Sequence, residues 1–196
     1  ASDVYKRQEP LTFWLAARRS TVRARLAPPK FYKMKKSISL IGMAGAGKSS
    51  LGKELAKHYD FNFIDSDKLI ETIKNKSLQE ILDENGIERF KKIEEAALLS
   101  VEFNKTILAT GGSAIFSQDA MRHIKKNSSI IYIEVSFEAI LDRISNFASR
   151  GFVKTSDQTI KQAFVEREVI YRKFADYIVP NNTDLESCLK RILRTI

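Results

Sequence analysis

The chain has 196 residues, 43% of them hydrophobic and 29% charged, a balance that suits one globular domain with room for a tail. No apolar run approaches the roughly 20 residues needed to cross a bilayer, and the run nearest the start, Leu11 to Ala17, is far too short. A single cysteine, Cys188, excludes an internal disulfide, and two histidines, His58 and His123, are too few for a structural zinc site, so a reducing compartment, the cytoplasm, is expected.

Along the chain, residues 1–33 come first and hold eight Lys/Arg against two acids, which leaves 25 basic and 22 acidic residues for 34–196. The net charge of +9 therefore sits mostly at the front, and the rest lacks the basic stripe a nucleic-acid partner demands. This first segment has no helical or strand period, clusters Arg18, Arg19, Arg23 and Arg25, and ends in Pro28-Pro29. It is expected to be a basic leader outside the folded domain. Translated sequence upstream of a start at Met34 is the preferred reading, with a transit-type presequence and a basic arm as the alternatives.

From Ser37 onward, short apolar runs alternate with amphipathic stretches, the signature of βαβ units around a parallel sheet. Strands are expected at Ile38–Ile41, Phe61–Ile64, Thr106–Ala109, Ile130–Glu134 and Ile178–Val179. Helices are expected at Lys48–Tyr59, Asp67–Lys74, Ser77–Asn85, Arg89–Phe103, Gln118–Lys125, Phe137–Ile144, Thr159–Phe174 and Asp184–Leu193. Between two of these, Ser145–Asp157 carries Ser, Asn, Gly and Asp and reads as a mobile loop.

Three sequence features carry chemistry. Gly42-Met43-Ala44-Gly45-Ala46-Gly47-Lys48-Ser49 fits G-x-x-x-x-G-K-[ST] between a strand and a helix. Its glycines let backbone N–H groups and the helix N-terminus face an anion, Lys48 reaches the β- and γ-phosphates, and Ser49 ligands Mg²⁺. Asp65 and Asp67 follow the second strand, two apart and so on one side of it. One can hold Mg²⁺ and the other can accept a proton from, or orient, an attacking hydroxyl; the blander alternative is that Asp67 caps the next helix, and the two roles are compatible. Thr110-Gly111-Gly112-Ser113 follows the third strand, where paired glycines permit close backbone approach to a substrate or simply make a turn. Of the remaining basic residues, Lys91, Arg143, Arg150 and Arg167 read individually as surface charges. Arg150 lies in the loop that could close it onto the transferring phosphate.

In this order, these residues resemble the shikimate kinase family, small P-loop enzymes similar to nucleoside-monophosphate kinases. The resemblance runs from Lys36 to the C-terminus. It rests on Gly42–Ser49, Phe63-Ile64-Asp65-Ser66-Asp67 with Ile70-Glu71, Gly86 with Phe90 and Glu94, and Ala109-Thr110-Gly111-Gly112. It continues through Arg143 and Arg150 to Arg167, Tyr171 and Ala175-Asp176. It implies a three-layer α/β fold with a five-stranded parallel sheet of order 2-3-1-4-5, a mobile lid at 145–157, and phosphorylation of shikimate to shikimate 3-phosphate by MgATP. ATP would be held by Gly42, Gly45, Ala46, Gly47, Lys48, Ser49 and Ser50, with Arg143 beside the adenine. Ser49 and Asp65 would organise Mg²⁺, Asp67 would act on the acceptor hydroxyl, and Arg150 would be the lid arginine. Lys91, Gly111, Gly112 and Arg167 would bind the acceptor, Glu94 would support them, and the enzyme would be a monomer without nucleic-acid or membrane partners.

Three positions depart from the family pattern. Lys91 stands where the family has a second carboxylate-clamping arginine, Ser113 replaces a third glycine, and Gly151 replaces a lid proline after Arg150. A lysine offers a point charge where arginine offers a planar fork. The departures leave open the same transfer to a different small hydroxylated acid or polyol, or a nucleotide-binding regulatory module without acceptor turnover.

Overall fold

Four-residue runs such as Ile38-Ser39-Leu40-Ile41 are apolar at almost every position, so they suit a strand covered on both faces rather than one open to water. The computed structural model describes residues 35–144 and 158–196. The expected leader at 1–33 and the expected lid at 145–157, with Arg150, lie outside the described residues. Within the unit Met34–Ile196, the chain runs β1 (Ile38–Ile41), α1 (Lys48–Tyr59), β2 (Asn62–Asp65), α2 (Ser66–Lys74), α3 (Leu78–Leu99), β3 (Thr106–Ala109) and a 3₁₀ turn (Ala114–Phe116). It continues through α4 (Gln118–Asn127), β4 (Ser129–Glu134), α5 (Phe137–Arg143), α6 (Ile160–Phe174), β5 (Tyr177–Pro180) and α7 (Leu185–Thr195).

All strand pairs are parallel and their order is β2-β3-β1-β4-β5, as expected. Right-handed crossovers that step first toward β2 and then back toward β5 place helices on both faces. On one, α1 packs on β3 and against α7; α3 and α4 pack together on the other. Ile38, Leu40, Ile107, Leu108, Ile130, Ile131 and Ile133 are fully buried at the centre. The step from β1 to β2 skips over β3, so the C-terminal ends of β1 and β3 open a crevice where the order reverses.

Helix ends explain where the elements start. Among the seven described helices, α2 to α7 each begin on a side chain that accepts from the first turn: Asp65, Ser77, Ser117, Ser136, Thr159 and Asp184. Helix α1 begins on Gly47 with no side-chain cap and no acid in its first turn.

Several boundaries differ from expectation. The strand expected at Phe61–Ile64 is shifted by one residue, because Asp65 ends it in extended conformation and caps α2 through Oδ1, 3.0 Å from the Asp67 N–H. Asp65, not Asp67, is therefore the N-cap, and Asp67 sits in the first helical turn. The two helices expected at Ser77–Asn85 and Arg89–Phe103 form α3, which bends at Gly86 (φ 69°, ψ 171°) and stops at Leu99. Gly86 takes a left-handed φ that favours glycine, which is why the sequence reads as two helices.

The capping box of α3 supplies a direct test, since Ser77 and Glu80 exchange both of its hydrogen bonds. Replacing Ser77 by Ala is expected to cost about 1 kcal/mol. The midpoint of thermal unfolding should fall by about 2–4 °C, as measured by calorimetry; an unchanged midpoint would show that the cap contributes nothing.

Candidate active site

The turn from β1 into α1 sets up the first half of the site. Gly42, Gly45 and Gly47 all have positive φ, of 143°, 75° and 92°, so the loop curls in a way that side chains would strain. The uncapped N-terminus of α1 leaves its first N–H groups pointing outward, which makes it ready for an anion. Lys48 lies almost wholly inside, 8% exposed, with Nζ donating to the carbonyls of Gly42 (2.8 Å) and Met43 (2.7 Å). Burial holds this ammonium down at about 8, offset in part by the charges of Asp67 and Asp65.

A cavity of about 560 Å³ opens on this loop, lined among others by Lys48, Ser49, Ser50, Asp65, Asp67 and Arg143. Nucleotide-sized anions suit its volume and its donors. Arg143, at the end of α5, donates to the carbonyls of Asn181 (2.7 Å) and Thr183 (3.2 Å), which fixes its guanidinium beside the loop. The sequence reading missed Asn181. It is buried after β5, takes the Glu134 carbonyl with its own N–H at 2.7 Å, and donates from Nδ2 to the Ala46 carbonyl at 2.9 Å. The last strand thus braces the loop from 135 residues away.

On the other side of Lys48 lie the residues expected to bind an acceptor. Asp67 projects from the first turn of α2, and burial pushes its carboxyl up to about 6 against the opposing pull of Lys48. Glu94, on α3, is 3% exposed and is raised by burial to about 7, with the Ser113 hydrogen bond pulling the other way. Both carboxylates converge on Gly111. A Cβ there would lie 2.3 Å from Glu94 Oε1 and 2.7 Å from Asp67 Oδ1, so no side chain fits. The Gly111 N–H donates to Ser66 Oγ at 2.8 Å, tying the loop after β3 to α2.

Arg167 comes in from α6, 2% exposed, with its guanidinium carbon 5.5 Å from the centre of the Phe116 ring. Burial lowers its affinity for the proton, and Tyr171 is among the groups that oppose this. Tyr171, fully buried, donates to the Gly112 carbonyl at 2.7 Å. Phe116, Ser66 and Tyr171 belong to this side of the site although sequence reading gave them no role in it. Lys91 lies farther out. It lines a small hollow of about 100 Å³ with Glu94, Ser113 and Phe116, stands 5.8 Å from the Phe116 ring centre, and pairs with Glu88 at 2.9 Å.

Of the expected residues, then, the structure brings Gly42, Gly45, Ala46, Gly47, Lys48, Ser49, Ser50, Asp65, Asp67 and Arg143 to one sheet edge. Gly111, Gly112, Arg167 and Glu94 adjoin them. Asp65 keeps Oδ2 beyond its capping bond, and Ser49 lines the same cavity, so the donor set there fits a hydrated cation that keeps most of its ligands from water and phosphate. Among the described residues no group of three His, Cys, Asp or Glu forms a ready-made metal cage, and no helix is long and apolar enough to cross a membrane. A second cavity, of about 660 Å³, lies between α2 and α3 over Ile70, Ile81 and Ile93, and holds none of these groups.

The comparisons with known proteins agree with this geometry. The sequence profile described as shikimate kinase matches residues 44–196. A shikimate kinase from Caldanaerobacter subterraneus is 35% identical over 163 residues, covering 81% of this chain and 95% of that protein. One from Francisella tularensis subsp. novicida is 36% identical over 151 residues, covering 75% and 86%. The solved shikimate kinase from Acinetobacter baumannii in complex with shikimate superposes with a TM-score of 0.74 at 27% identity, covering 85% of this chain and 96% of that one.

The titrating groups give the site a pH signature. A base at Asp67 needs its carboxylate ionised, so kcat/KM should fall as pH drops through about 6; loss of the Lys48 charge should lower it again above about 8. Because Asp67 and Glu94 adjoin, the acid limb belongs to the pair. A bell-shaped profile is expected from steady-state rates, and one flat from about pH 5 to about pH 9 would contradict these environments.

Proposed function

The chain belongs to the shikimate kinase family, and from that premise we propose that it transfers the γ-phosphoryl group of ATP, as its magnesium complex, to the 3-hydroxyl of shikimate. The observation that carries this reading is the convergence of Asp67 and Glu94 on Gly111 beside the buried Lys48, with Arg167 across from them. A purely nucleotide-binding module has no use for a buried carboxylate and arginine beyond the phosphate loop.

In this mechanism the amides of the loop and of the first turn of α1 hold the phosphate oxygens. Lys48 leaves the carbonyls of Gly42 and Met43 to bridge the β- and γ-phosphates. Ser49 and Asp65 Oδ2 would hold the magnesium, which when bound would supply charge neutralisation at the phosphates. Arg143 and the Asn181–Thr183 turn flank the adenine. Asp67 accepts the proton of the acceptor hydroxyl as its oxygen bonds to the γ-phosphorus and the bridging P–O bond to ADP breaks. Arg167 pairs with the acceptor carboxylate, the backbone at Gly111 and Gly112 passes close to its ring, and Glu94 accepts from another hydroxyl.

The described groups of the site all come from one chain, which supports a monomer, and the single cysteine, Cys188, deep in the core, supports a reducing compartment, the cytoplasm. A second reading, the same transfer to another small hydroxylated acid, is favoured by one observation: Lys91 pairs with Glu88 rather than standing free to clamp the acceptor.

The test is ADP release with MgATP, with and without millimolar shikimate, alongside a panel of hydroxy acids and sugar acids. Shikimate-dependent turnover is expected, and Asp67→Asn should lower kcat by about two to four orders of magnitude with ATP affinity near normal. Turnover with another acid and none with shikimate would establish the second reading, and full activity of Asp67→Asn would remove that carboxylate from the chemistry.

A further inference from the structure

Ser113 stands just past the paired glycines, and its backbone (φ −99°, ψ −7°) is one any residue adopts, so nothing in the chain's path demands a glycine there. It begins the 3₁₀ turn Ala114–Phe116, yet its side chain makes no capping bond. The hydroxyl points inward instead. Its Oγ lies 2.6 Å from Glu94 Oε2, a hydrogen bond between two buried side chains 19 residues apart.

Lys91 is the cation best placed by sequence to hold the same carboxylate, since residues three apart share a helix face. Its ammonium goes to Glu88. The carboxylate of Glu94 therefore meets a neutral hydroxyl where its own helix offered a charge.

We propose that Ser113 is a positioning residue for acceptor binding: its hydroxyl holds Glu94 Oε2, and this turns Oε1 toward Gly111 and Asp67, where an acceptor hydroxyl would sit. The inference rests on the reading of Asp67, Glu94 and Arg167 as the acceptor side. Without the bond, the Glu94 carboxylate is free to rotate about its last torsion, and the acceptor must order it on binding. The bond also favours the ionised form, which can accept from an acceptor hydroxyl, over the protonated one. Charged or titratable groups face Glu94 from every side: Asp67 from α2, Lys48 from α1, Arg167 and Tyr171 from α6. Asp67 opposes ionisation of Glu94, whereas Lys48 and Arg167 favour it. Ser113 is thus the uncharged contributor to a balance that holds the group near 7.

Ser113→Ala and Ser113→Gly both delete the hydroxyl but differ in bulk, which separates hydrogen bonding from packing. In chain labelled with ¹³C at the glutamate carboxyl, the Glu94 resonance is identified by its loss in Glu94→Gln. Its titration midpoint should move up by about half to one pH unit in both variants. The KM for shikimate should rise about three- to tenfold in both, with the KM for ATP unchanged. An unmoved Glu94 titration, an effect in only one of the two variants, or an equal rise in both KM values would overturn the proposal. Absence of shikimate turnover in the unsubstituted chain would instead be a failure of the acceptor assignment, and the titration would still decide whether Ser113 holds Glu94.

Discussion

The structure turns on one helix end left without a cap. Every other described helix satisfies its first turn with a Ser, Thr or Asp side chain, whereas α1 starts at Gly47 with no side-chain cap and no acid in its own first turn. Orphaned donors at a helix start are tolerated when water or a ligand can reach them, and here they open onto the cavity that also exposes Ser49 and Asp65. Lys48 follows from the same constraint. Its ammonium would be costly to bury alone, and the two carbonyls that curl back from Gly42 and Met43 satisfy it.

From that point the fold distributes its work by strand order. Because β1 is central, the loop after it has the end of β3 on one side, and on the other, beyond β4, the turn after β5 reaches it through Asn181. The β3 side brings Gly111 and Gly112 against Asp67, Glu94 and Arg167, where burial raises both carboxylates. The β5 side brings Asn181, which ties the loop to the sheet and leaves its own backbone carbonyl to Arg143. One edge of one sheet thereby carries the glycine loop and the buried carboxylates and arginine, with Lys48 as their common electrostatic neighbour.

How much of this is legible in the sequence depends on how far apart in the chain the partners lie. The phosphate loop spans eight consecutive residues, Gly42 to Ser49, so its pattern is complete in one reading. The sheet order follows from the resemblance, and all five strands were placed to within about a residue at the site-forming ends, since buried parallel strands announce themselves as apolar runs. The roles of Asp65 and Asp67 were harder to separate. A strand ending one residue later makes Asp65 the cap and frees Asp67, and such boundaries are the least determined feature of a sequence. Asn181 leaves no local signal, and the family pattern that includes Ser66 and Tyr171 does not show what they hold, because the partners Ala46, Gly111 and Gly112 lie 135, 45 and 59 positions away. Lys91 shows the opposite case: its place on α3 was clear, while its pairing with Glu88 depends on side-chain geometry that a sequence does not carry.

The central claim is that the uncapped helix start and the parked lysine form a phosphate cradle. Calorimetric titration of MgADP into the chain and into Lys48→Met tests it most directly. The account predicts a loss of affinity of about ten- to a hundredfold, the worth of charge-assisted hydrogen bonds to phosphate. Equal affinity in the two proteins would contradict it.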